Sequence, residues 1–163
     1  IYPWERQTEL AAILGPNADL AANQKNALDL ELKEVQVLLD ERSMAFAYFN
    51  LGTTHVSRLE YVDASYDFDM AFSTGLLPWR FLWYQTGPYF AYYYTGRYQY
   101  VYDLANTTLM GQKHLEESWY WRGMARMALG DRQGAIDDWR QALIKHPGFA
   151  PALEQLQLAG EVA

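Results

Sequence analysis

What most constrains this chain is the spacing of its helix breakers. Gly130 follows Gly96 by 34 residues, and Pro147 stands 17 beyond Gly130, half that interval. Between these points apolar residues recur at helical spacings, so each interval holds two short helices joined at a glycine corner. One helix pair of this size cannot bury its apolar face alone, and several must stack to share a core. The predicted fold is therefore all-α, with seven to nine helices packed as consecutive antiparallel pairs. A β-sheet anywhere would contradict it.

The chain has 163 residues, half of them hydrophobic and 20% charged, a balance that suits one folded domain. Its net charge is −7 and it carries no basic run, which argues against nucleic acid as a partner. It has no cysteine, so disulfides, thiolate metal sites and cysteine nucleophiles are excluded, while the compartment stays open. No window approaches 18 uninterrupted apolar residues, so no membrane partner is expected. The start at Ile1 has neither an initiator Met nor the layout of a signal peptide, and reads as a piece of a longer polypeptide. Six Trp, thirteen Tyr and seven Phe are present, and they concentrate between Trp79 and Tyr102.

Toward the N-terminus, Gly15-Pro16 ends a short predicted helix. A long helix over 18–39 follows, capped by Asn17 or Asp19 and carrying Leu20, Leu28, Val35 and Leu38. Toward the C-terminus the residues Trp119, Gly123, Leu129, Gly130, Asp131, Ala135, Trp139, Ala142 and Pro147 keep a distinctive order. Gly123 and Ala135 are small enough to let two antiparallel helices approach, Trp119 and Trp139 fill the space between them, and Gly130 permits a left-handed corner. This segment resembles the tetratricopeptide repeat, TPR. The segment 45–78 has the same layout, with Tyr48, Leu51-Gly52, Tyr61, Ala64, Phe68 and Ala71. The segment 82–115 keeps only Tyr92, Gly96 and Tyr98, and three residues within 76–79 look inserted before it.

The resemblance implies a single domain over 1–163, an α-solenoid wound as a right-handed superhelix. Residues 1–44 would be N-terminal capping helices, 45–78, 82–115 and 116–149 the repeats, and 150–163 a C-terminal cap. It places Tyr48, Gly52, Ala64, Phe68, Ala71, Trp119, Gly123, Ala135, Trp139 and Ala142 in the core. At the corner of the first repeat, Ser57-Arg58-Leu59-Glu60, a leucine occupies the glycine position. It costs on the order of 1 kcal/mol if the backbone keeps positive φ.

Catalytic and metal chemistry find no support. His55, His114 and His146 lie on separate helices without ligand spacing, and His55 reads as core. The pairs Glu116-Glu117 and Asp137-Asp138 read as solvated helix faces. The serines at 43, 57, 65, 73 and 118 lack a nucleophile-elbow frame, and there is no phosphate loop or dinucleotide fingerprint. The chain is therefore expected to be no enzyme and to need no cofactor or metal.

The resemblance points instead to a concave groove lined by the first helix of each repeat. Its positions fall on Phe46, Phe49, Thr53 and Val56, then Trp83, Thr86, Phe90 and Tyr93, then Glu117, Tyr120, Met124 and Met127. The TPR variety that clamps a C-terminal carboxylate carries Lys, Arg and Asn there, and here the faces are aromatic and Met-rich. An interaction scaffold binding a protein or peptide through Trp83, Phe90, Tyr93, Tyr120, Met124 and Met127 is the expected function. Two others stand beside it: a binder engineered on a bacterial TPR scaffold, using the rim of Arg58, Leu59, Arg97, Tyr98 and Tyr100, and an accessory domain of a larger hydrolase.

Overall fold

The computed structural model describes residues 18–161, so the short helix expected before Gly15-Pro16 lies outside the described residues. These residues form seven α-helices and one 3-10 turn: α1 (Ala18–Ser57), α2 (Tyr61–Ser73), the turn Trp79–Trp83, α3 (Gly87–Tyr94), α4 (Tyr98–Gly111), α5 (Glu116–Ala128), α6 (Arg132–Lys145) and α7 (Ala150–Leu158). Among them there is no strand, and the fold is an all-α helical repeat. The predicted helix over 18–39 runs on into the first repeat, because 40–44 contain neither Gly nor Pro to stop it.

The chain divides into two compact units, Ile1–Met44 and Ala45–Ala163. In the first, the described residues are the N-terminal part of α1, where Gln36 donates to Asp40 across one turn at 2.9 Å. In the second, the helices from α2 to α7 pack each on the next in chain order.

Helix pairing rests on one small residue facing one large ring. A Cβ at Gly52 would lie 2.9 Å from the Phe68 ring, and one at Gly123 would lie 2.5 Å from Nε1 of Trp139. Each ring thus occupies the volume a side chain would need. The middle pair reverses the sizes. Tyr89 stands where the glycine is expected, Ala105 stands where the ring is expected, and both are buried. The same space is filled from the opposite helix, which is why this repeat reads as degenerate in sequence. The cost of the exchange is a buried hydroxyl, and it is satisfied: Tyr89 Oη lies 3.1 Å from Ser118 Oγ and donates to Thr108 Oγ1 at 3.4 Å.

The three corners share one hydrogen-bond pattern. Glu60 N–H donates to the His55 carbonyl, Arg97 to Tyr92 and Asp131 to Arg126, each spanning five residues back. Leu59, with φ 63°, keeps the left-handed backbone of Gly96 at 77° and Gly130 at 91°. The turn has not changed shape, and Leu59 bears the strain.

Several sequence-level placements are corrected. Tyr48 and Trp119 are half-buried, not core. The Trp119 indole donates to the Lys113 carbonyl at 3.0 Å, and its ring lies under Arg122. Trp121, which no repeat position marks, is the buried tryptophan of α5. His55 is half-buried and polar in its contacts, with Nδ1 2.6 Å from Oδ2 of the buried Asp67. Asp138 is 2% exposed, whereas Asp137 is exposed, so only one of that pair lies on a solvated face.

Candidate functional site

The insertion before the middle repeat reshapes the expected groove. Residues 79–83 form a 3-10 turn and α3 begins only at Gly87, with Pro88 in its first turn. Trp83 therefore does not continue the α3 face, and Arg80 lies over its ring at 5.7 Å. Phe81, from the same turn, sits edge-on to Phe46 at 5.3 Å and to Phe49 at 4.6 Å. Phe49 also meets Phe68 and is 1% exposed. Of the first-repeat groove positions, Phe46 and Phe49 are thus covered by the chain itself, whereas Thr53 is exposed and Val56 half-buried.

The remaining part lies on α3 and α5. Phe90 and Tyr93 are three residues apart on α3, and Tyr120, Met124 and Met127 share a face of α5 by helical spacing. Between the helices stands Trp121, with Phe90 at 4.6 Å, Tyr120 at 5.3 Å and Tyr93 at 5.6 Å around it. A buried indole so surrounded holds its neighbours in edge-to-face contact. Phe90, Tyr93, Tyr120, Met124 and Met127 all remain partly exposed, as does Trp83. Tyr120 further meets Phe149 at 5.9 Å, which carries the aromatic surface toward α7.

Burial leaves an electrostatic mark on this surface. The Tyr120 hydroxyl is pushed up to about 12, chiefly by desolvation. Glu117 is held above its ordinary 4.5, again by burial, against the pull of a hydrogen bond to Thr86. A carboxyl raised in the folded state contributes stability below its unfolded value and loses it as pH rises through the folded one. Glu117→Gln is therefore expected to raise the melting temperature near pH 7 and to leave it unchanged near pH 4. Thermal melts at the two pH values check this.

The rim residues separate into three environments. Leu59 is 70% exposed and Arg58 lies beside it in solvent. Tyr98 packs its ring on Tyr93 at 5.2 Å, at the edge of the groove. Arg97 is committed inward: its two terminal nitrogens donate to the Asp69 carboxylate at 2.7 and 2.8 Å, and its guanidinium lies over the rings of Tyr92 at 4.5 Å and Tyr100 at 4.1 Å. Those hydrogen bonds to Asp69 raise its pKa further. Tyr100 is 55% exposed. Sequence reasoning identified Arg97 as an anchor because it could not see Asp69, 28 residues away, closing on it.

Among the described residues no group of three or more His, Cys, Asp or Glu is placed to hold a metal ion. Among the same residues no helix is long and apolar enough to cross a membrane.

Comparison with known proteins agrees with the fold. Residues 116–149 match the family model described as tetratricopeptide repeat. The fold is similar to the first TPR of Spaghetti (RPAP3), a structure solved bound to the HSP90 peptide SRMEEVD. The TM-score is 0.61 at 17% sequence identity, over 72% of this chain and 91% of that one. Comparison with the curated proteins gives no match.

Proposed function

We propose that this tetratricopeptide-repeat chain is a non-enzymatic interaction scaffold that binds a peptide through apolar anchors in the groove of α3 and α5. One observation carries the reading: Phe90, Tyr93, Tyr120, Met124 and Met127 stay partly open to solvent around the buried Trp121. Completing the burial of such side chains contributes up to ~1.5 to 3 kcal/mol each. The similar domain in RPAP3 is seen with an acidic peptide. Here the corresponding faces are aromatic, Met and Glu117, so the anchors are apolar and a free C-terminal carboxylate is not the feature read.

The rim supports a second reading, since Leu59 keeps a strained φ of 63° while 70% exposed. The two are separated by selecting peptides from a library on the full chain and measuring their affinity by fluorescence anisotropy. Phe90→Ser with Tyr120→Ser is expected to weaken binding at least roughly tenfold while helical circular dichroism is kept. Leu59→Gly is expected to stabilise the free chain by up to ~1 kcal/mol and leave affinity unchanged. The opposite pattern, with affinity lost in Leu59→Gly alone, moves the binding surface to the rim.

A further inference from the structure

The inserted segment creates a second concavity, distinct from the groove. Between α2 and α4, a cavity of about 500 Å³ is closed by the connection that follows α2 and by Tyr92 of α3. Phe72, Leu77, Phe81, Leu82 and Leu104 supply apolar walls, and none of the groove residues lines it. The volume and lining are those of a small-molecule site, where a few polar groups fix orientation.

Which polar groups are left for a ligand follows from the hydrogen bonds already made. The hydroxyl protons of Ser73, Thr107 and Tyr92 go to the Met70 carbonyl, the Asp103 carbonyl and the Asp69 carboxylate. Asp69 in turn is neutralised by both terminal nitrogens of Arg97, so the cation at this edge is consumed. Asp103 is different. It is exposed, one of its oxygens accepts from the neutral Gln99 amide at 2.9 Å, and among the described residues its charge has no cationic partner. Apart from the exposed Tyr100 hydroxyl, the lining therefore offers acceptors and, at its solvent edge, a negative charge without a cationic partner, which disfavours carboxylates and phosphates and favours a protonated donor.

We propose that this cavity binds a small organic amine, its compact aromatic or branched body against Phe72, Phe81 and Leu104 and its ammonium at Asp103. The site is independent of the peptide groove and stands or falls separately from it.

The test uses three indoles of equal frame on the isotope-labelled full chain, followed by amide chemical shifts. They are tryptamine, the neutral tryptophol and the anionic indole-3-propionate. Tryptamine is expected to give saturable shifts centred on Ser73, Asp103 and Thr107, with an affinity at least about tenfold above tryptophol, and the propionate none. Asp103→Asn is expected to bring tryptamine down to tryptophol, Asp103→Glu to keep the preference, and Ser73→Trp to fill the cavity and abolish both. Equal binding of tryptamine and tryptophol to the unaltered chain overturns the assignment. So do shifts centred on Phe90 and Tyr120, no saturable shift at all, or binding that survives Ser73→Trp. Because the comparison among the three ligands is made on the unaltered chain, a variant that fails to fold does not decide the result.

Discussion

Replacing Trp139 by Ala is expected to cost ~3 to 5 kcal/mol of stability, lowering the melting temperature by roughly 8 to 15 °C for a chain of this length. The indole is 1% exposed. It fills the space left open by Gly123, so close that a Cβ there would lie 2.5 Å from its nitrogen. Ala removes most of that volume, and the glycine opposite has no side chain with which to collapse into the gap. The loss is polar as well, since Trp139 Nε1 donates to the Tyr120 carbonyl at 3.3 Å. Tyr120 belongs to the proposed groove, so the variant is also expected to weaken peptide binding at temperatures where it remains folded. Trp139→Phe, which keeps a ring in place, should cost less than Ala. Calorimetric melts check both, and an unchanged midpoint for Trp139→Ala would refute the packing described.

Asp138→Ala is expected to destabilise by ~3 kcal/mol or more. Asp138 is 2% exposed and accepts from Arg122 Nε at 2.9 Å and Nη2 at 2.7 Å, while Arg126 stands 3.3 Å away. Arg122 also reaches Asn106 on α4 at 2.9 Å, so one guanidinium ties three helices. Removing the carboxylate leaves a largely desolvated cation without its counter-charge, which costs more than the pair itself contributes. Replacing both partners by apolar residues, Asp138→Leu with Arg122→Met, should therefore be less damaging than Asp138→Ala alone. Urea unfolding of the single and double variants measures the coupling, and simple additivity would contradict the ion-pair account.

What the sequence by itself determined is the part governed by local rules. The corners at Gly96 and Gly130 require positive φ, which marks them in any reading of the chain. The pairs Gly52 with Phe68 and Gly123 with Trp139 are legible because each member departs from ordinary helix composition. Leu59 was legible for the same reason, as a leucine in a glycine's place. The middle repeat hid because packing responds to the summed volume across two helices, and Tyr89 with Ala105 supplies that volume in reverse order.

Tertiary structure alone decided the rest, and the reason is distance along the chain. No local pattern shows that Phe81 covers Phe46 and Phe49, or that Trp121 becomes the centre of the α3–α5 surface. Nor does one show that Asp69 takes the charge of Arg97, or that Arg122 buries Asp138. Each depends on which side chains meet after the helices have stacked, and a few inserted residues before α3 change that meeting without altering the repeat on either side.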